Sequence, residues 1–213
     1  MKHKIIQKLR SGVARILSNS PPLSWQARKR NSSEKAALII PELERLRCRN
    51  VVDIGCNAGE VSRLVSPGRF VVGLDAVVDT TGFKNPLQGV ALGQNRVSVS
   101  VVDLIPRFDA ILLLSVHHQW YAGMEHSQAD ELFKVILRSP IKAVFVEFAA
   151  INAKYGSDQG FLDNDEESVK SYASIFLKQR ISLGDQVKFL GKSSEHPGKE
   201  PYRFMFLIEK PTA

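Results

Sequence analysis

Two stretches of this 213-residue chain hold residues whose types and spacing can do chemistry. The first is Val51-Val52-Asp53-Ile54-Gly55-Cys56-Asn57-Ala58-Gly59-Glu60. An apolar run carries an acid, passes into a Gly-rich turn and opens a helix. Gly55 and Gly59 permit a tight turn and close backbone approach to a ligand. In open α/β sheets, ligands bind at the carboxyl ends of the strands, where this turn would sit. A second acid, Asp75, ends Val71-Val72-Gly73-Leu74-Asp75, 16 residues after Gly59. An acid so placed can accept hydrogen bonds from ribose hydroxyls. A third, Asp103, follows Val101-Val102. The other stretch is Ser115-Val116-His117-His118-Gln119-Trp120-Tyr121. A histidine there is suited to taking a proton from a hydroxyl near neutral pH.

Three acids after three successive strands resemble the class I S-adenosylmethionine (SAM)-dependent methyltransferases. The likeness covers residues 33 to 210. It implies that the loop from Asp53 to Gly59, with Gly55, Cys56 and Asn57, holds the methionine and ribose part of SAM. It implies that Asp75 binds the ribose diol, that Asp103 contacts the adenine amino group, and that Ser115 also borders the cofactor. A nicotinamide enzyme would need G-x-G-x-x-G beside a pyrophosphate. Here the spacing is Gly55-x-x-x-Gly59, and Glu60 would oppose a pyrophosphate.

In that family the methyl acceptor sits at the end of the fourth strand. The main task there is to align the acceptor atom with the methyl group. His117 and His118 are the candidate bases. On an extended segment adjacent side chains face opposite ways, so one of the two, with His118 favoured, would point into the pocket. The alternative is that both shape the turn by hydrogen bonding. Trp120, Tyr121, Glu147 and Tyr155 are candidates for lining the acceptor pocket, with core packing the alternative for each aromatic. The stretch Asn152–Asp165 is a candidate lid.

Several chemistries lack their residues. No Asn/Asp-Pro-Pro-Tyr/Phe or Pro-Cys follows the fourth strand, which argues against amino methylation and cytosine C5 methylation. The missing acid there argues against a catechol-type magnesium site and a Lys-Asp-Lys-Glu tetrad. His117, His118 and His126 with Glu125 or Glu147 match no established metal spacing, so no metal is expected. The acceptor expected is a hydroxyl of a glycan, small molecule or lipid-linked intermediate. The alternatives are an RNA methyltransferase and a SAM-binding module without catalysis.

The elements that must position these residues follow from the apolar pattern. Strands are expected at Asn50–Ile54, Phe70–Leu74, Val97–Val102, Ala110–Ser115, Ala143–Glu147, Gln186–Leu190 and Arg203–Glu209. The first five are apolar on both faces, as buried parallel strands are. Helices are expected at Glu34–Arg47, interrupted by Pro41, and near Val61–Val65, Gln128–Leu137 and Glu166–Gln179. The alternation predicts an α/β fold, a doubly wound, mostly parallel seven-stranded sheet. The last two strands, joined by Gly191 to Tyr202 without a helical pattern, predict an antiparallel hairpin at its edge.

Charge divides the chain. Residues 1–50 hold 12 Lys/Arg against 3 Asp/Glu, whereas residues 51–213 hold 17 against 19. Residues 1–31 therefore read as a basic segment ahead of a methyltransferase domain at 32–213. Ile5, Ile6, Leu9, Val13, Ile16 and Leu17 give it an amphipathic helical stripe. Such a segment can bind RNA phosphates, lie on an anionic membrane surface, serve as an organellar transit peptide, or pack on the domain as a solvated helix. Lys8, Arg10 and Arg15 interrupt any secretory apolar core. No apolar run approaches the ~18 residues that span a bilayer. Cys48 and Cys56 are too few for a disulfide framework, and the expected compartment is a reducing cytoplasm.

Overall fold

The computed structural model describes residues 32–57, 59–75, 90–94, 107–123, 125–149, 165–196 and 199–211. The basic segment 1–31, Val97–Val102, Asp103, Tyr155 and residues 152–164 of the candidate lid lie outside them.

Runs of Val, Ile and Leu pleat into five parallel strands. These are β1 (Asn50–Ile54), β2 (Phe70–Asp75), β3 (Val90–Gln94), β4 (Ala110–Leu113) and β5 (Ala143–Ala149). β6 (Gln186–His196) and β7 (Lys199–Glu209) form an antiparallel hairpin, and β7 also runs antiparallel to β5. The sheet order is β3-β2-β1-β4-β5-β7-β6. The order reverses beside β1, which lies between β2 and β4. That reversal opens a crevice at the strands' carboxyl ends.

Alternate side chains feed two cores. Val51, Leu112, Phe145 and Leu207 face α1 (Ser32–Arg45) and α2 (Glu60–Val65), which bring Ala36, Ile39, Leu43 and Val65. Val52, Ile111, Val146 and Phe206 face the other side. There α4 (His126–Leu137) and α5 (Glu166–Lys178) bring Phe133, Ile136, Val169 and Phe176. Between β4 and α4 lies the short α3 (His117–Gly123).

The structure differs from the expected elements in four places. α1 runs unbroken across Pro41, with Ile39 and Leu43 fully buried on either side of it. It ends where Arg47 turns left-handed at φ 53°, while the N–H groups of Arg47 and Cys48 donate to the carbonyls of Glu44 and Leu43. That pattern satisfies the last helical carbonyls. The strand paired with β2 is Val90–Gln94, which was not expected, while Val97–Val102 lies outside the described residues. Among the described residues it is an edge strand, so a short run containing Gly93 suffices. Its carboxyl end carries Gln94.

β4 stops at Leu113 instead of Ser115, because Ser115 adopts φ 58°. His117 and His118 then begin a helix rather than extend a strand: the Val116 carbonyl accepts from the N–H groups of Gln119 and Trp120, both at 3.0 Å. The hairpin is longer than expected, with polar Lys192, Ser193 and Ser194 inside β6 and pairing out to His196↔Lys199. Among the described residues no helix is long and apolar enough to cross a membrane.

Candidate functional site

The Gly-rich turn is tied to the strand beside it. The N–H groups of Gly55 and Cys56 both donate to the Leu74 carbonyl, at 2.7 and 3.2 Å. The Asn57 N–H donates to Asp75 Oδ2 at 2.8 Å, so the acid ending β2 already grips the loop. Gly55, Asn57 and Gly59 all have positive φ, at 79°, 51° and 70°. A Cβ on Gly55 would lie 2.7 Å from Val116 Cγ2, so the turns after β1 and β4 meet where only glycine fits. Cys56 is buried, and that burial pushes its thiol far above the usual range. It is therefore a protonated packing group. Both cysteines are free thiols.

Asp53 lies on β1 just ahead of this turn and is 1% exposed. Ser62 Oγ, from α2, donates to Asp53 Oδ2 at 2.6 Å. Asp53 Oδ1 is buried with no hydrogen-bond partner among the described residues. Burial pushes this carboxyl up to about 6. The Ser62 hydrogen bond and the Lys35 charge oppose the rise, and Asp75 and Glu147 add to it. A buried carboxylate with one empty acceptor oxygen is built to receive a cation or a strong donor.

Beside it lies a buried ionic cluster. Lys35 Nζ, from the first turn of α1, reaches Glu147 Oε2 on β5 at 2.7 Å and Ser115 Oγ at 3.3 Å. Ser115 Oγ donates to the same Glu147 oxygen at 2.6 Å, and Ser193 Oγ lies 3.5 Å from Oε1. Glu147 is fully buried, which raises its carboxyl. The charges of Lys35 and Arg203 and the Lys35 and Ser115 hydrogen bonds outweigh that and bring it below the usual carboxylate value. Glu147 is thus a saturated internal anion. Lys35, Ser62, Ser193 and Arg203 escaped the sequence reading. Lys35 did carry a signal: it shares the i, i+4, i+8 stripe of α1 with Ile39 and Leu43, where a base has no solvent to face.

The two histidines have different surroundings. His117, 1% exposed, is ringed by Phe148 at 4.7 Å, Phe176 at 4.8 Å, Tyr121 at 5.0 Å, Phe133 at 5.6 Å and Tyr172 at 5.8 Å. Its Nε2 is 3.2 Å from the Tyr172 hydroxyl. Burial, helped by the Arg180 charge, pushes its pKa down to about 3. The ring is neutral at neutral pH and packs as a core aromatic. His118 is also buried, one position along the first turn of α3.

Trp120 packs on Phe133 at 4.9 Å. The Tyr121 hydroxyl donates to Asp130, which pairs with Arg180 at 2.6 Å. Among the described residues no group of three or more His, Cys, Asp or Glu is arranged to hold a metal ion. The structure therefore brings Asp53, Gly55, Cys56, Asn57, Gly59, Asp75, Ser115 and Glu147 to one edge of the sheet. It turns His117 and Tyr121 toward the α4–α5 layer.

No family model matches the sequence, and no curated protein matches it. Solved structures do. The methyltransferase domain of bacterial CtHen1 matches with a TM-score of 0.60 at 14% identity, over 85% of this chain and 100% of that one. The bifunctional kinase-methyltransferase WbdD matches with a TM-score of 0.59 at 19% identity, over 84% of this chain and 40% of that one. The N-methyltransferase NodS from Bradyrhizobium japonicum WM9, in complex with S-adenosyl-L-homocysteine (SAH), matches with a TM-score of 0.55 at 15% identity, over 95% and 98%.

The chain has the class I SAM-dependent methyltransferase fold.

The crevice between β1 and β4, at the carboxyl ends of the strands, is the candidate ligand site. The residues present suit a cofactor with an ammonium group and a ribose. Asp53 Oδ1 offers a buried anionic acceptor. Asp75, at the end of β2, stands against the same loop through its Oδ2. The closeness of Gly55 to Val116 leaves the backbone itself as the wall.

Proposed function

We propose that this chain is a SAM-dependent methyltransferase that methylates a hydroxyl oxygen of a glycan, small-molecule or lipid-linked acceptor. The observation that carries the cofactor assignment is Asp53: a buried carboxylate, one oxygen held by Ser62 and the other turned to no protein donor among the described residues. When bound, SAM supplies an electrophilic methyl group on a sulfonium sulfur. Asp53 would bind the ammonium group, Asp75 the ribose diol, and the turns at Gly55 and Ser115 would form the walls.

His118 is the base in this reading. It stands at the start of α3, directly after the Ser115 turn that borders the cofactor, whereas His117 is committed to the aromatic layer. His118 would take the proton of the acceptor hydroxyl. Trp120 packs on Phe133, on the His117 side of α3.

A second reading follows from the eight Lys/Arg, with no Asp/Glu, in residues 1–31: this segment anchors RNA, and the acceptor is an RNA hydroxyl. Incubating the full chain with SAM tritiated on the methyl group, against free sugars, lipid-linked glycans and RNA, separates the two readings. Label in sugars or lipid-linked glycans supports the first. Label in RNA, lost in a chain lacking residues 1–31, supports the second. SAH binding without transfer to any hydroxyl acceptor would point to a non-catalytic SAM-binding module.

A further inference from the structure

The α1 contacts show that the Asp53 site is not built by its loop alone. The first turn of α1 makes three polar contacts at the carboxyl edge of the sheet. Ser32 Oγ donates to Glu60 Oε2 at 2.8 Å, on the first residue after the Gly-rich turn. Glu34 Oε2 accepts from the Ser194 N–H at 2.8 Å and Oγ at 3.0 Å. Lys35 passes between them to Glu147 and Ser115.

A lysine 6% exposed and a glutamate with no exposure are held together. The register Asp53↔Leu112↔Phe145 puts Glu147, two residues beyond Phe145, on the same face of the sheet as the buried Asp53. The charged groups that face Asp53 come from each neighbouring element: Lys35 on α1, Asp75 at the end of β2 and Glu147 on β5. Arg203 on β7 acts through Glu147. Ser62 on α2 is the neutral donor. At this depth charges are weakly screened, so each is felt by the others. Lys35 favours the ionised form of Asp53, and Glu147 and Asp75 disfavour it.

We propose that Lys35 and Glu147 are a charge-balancing pair which sets the pH above which Asp53 accepts the cofactor's ammonium group, with Lys35 acting as a positioning residue through Glu147 and Ser115. This rests on the SAM-binding reading above. Only the carboxylate form of Asp53 pairs with an ammonium. A neutral Asp53 leaves that charge buried and unpaired. Removing the positive member of the pair therefore makes Asp53 harder to ionise, and removing the negative member makes it easier. Removing both restores the balance.

SAH is the probe, titrated calorimetrically into the full-length protein and into Lys35→Met, Glu147→Gln and the double variant, from pH 5 to pH 8. The wild type is expected to lose affinity about tenfold per pH unit below about pH 6. The Lys35→Met midpoint should move up by about one unit, which is about tenfold weaker binding at acid pH. The Glu147→Gln midpoint should move down, and the double variant should return close to the wild type. If Lys35→Met does not fold, the double variant must still titrate at higher pH than Glu147→Gln.

Coincident midpoints in variants that bind SAH would overturn the proposal, because a purely structural pair moves affinity without moving the midpoint. A Lys35→Met loss of affinity that is uniform with pH and persists in the double variant would also overturn it, assigning Lys35 to direct contact. Failure of the wild type to bind SAH at any pH would instead overturn the SAM-binding reading itself.

Discussion

The two faces of the sheet bury ionisable groups in opposite ways. On the α1 side, Glu147 has no exposure yet remains a carboxylate, because Lys35 lies 2.7 Å away. On the α4–α5 side, His117 is 1% exposed and stays neutral, because its neighbours are rings. Burial opposes charge in both places, and the partner decides the outcome. The charged face is suited to hold a cationic ligand at Asp53. The neutral face is a wall that shapes α3.

Breaking the charged face should produce the largest loss of stability. Lys35→Met alone strands a buried carboxylate, and leaving one partner of a buried pair typically costs about 3–5 kcal/mol. Urea denaturation at pH 7 should show that loss, with much of it recovered by adding Glu147→Gln. A double variant as unstable as the single would mean that the pair is not coupled.

His118→Ala should come next, lowering transfer by about 10²–10⁴-fold while SAH affinity stays within a few-fold. Unchanged turnover would move the base elsewhere. Gly55→Ala places a side chain at φ 79° and 2.7 Å from Val116 Cγ2. It should cost about 1–3 kcal/mol and weaken SAH binding, and Val116→Ala should relieve part of it.

The smallest effect is expected on the neutral face. His117→Phe keeps a ring among rings and should cost less than about 1.5 kcal/mol, with transfer intact. It should also alter the acid limb. Because the folded-state pKa of His117 lies at about 3, below its ordinary value of 6.5, its contribution is present above about pH 6.5 and is lost as pH falls toward 3. Denaturation midpoints of His117→Phe should fall less steeply across that window. A collapse of activity in His117→Phe would return His117 to the chemistry.

The same contrast explains what was legible in the sequence. β1, β4 and β5 are buried on both faces and β2 is buried on one and partly buried on the other, so their apolar runs announced them. β3, at the edge of the sheet among the described residues, needs no such run, so Val90–Gln94 carried little signal. α3 spans seven residues, too few to show a period. The loop from Asp53 to Gly59 was legible because its glycines and acid are local. The fate of the histidines was not, because Phe148 and Phe176 reach His117 from elements far along the chain. Glu147 was noticed as the end of a strand, but its partner stood 112 residues earlier on α1.

Asp53 joins these strands of the account. Its folded-state carboxyl is raised from 3.8 to about 6, so its protonated form favours folding and that contribution is lost as pH rises through about 6. Asp53→Asn should therefore stabilise the protein at pH 7, by roughly 2–3 kcal/mol, while removing the anion that the cofactor needs. SAH titrated into the wild type and Asp53→Asn at pH 7, with denaturation of both, is the most direct test. The account predicts a wild type that binds SAH and a more stable variant that binds it at least a hundredfold more weakly. Equal SAH affinity in the two proteins, or no binding by the wild type, would contradict it.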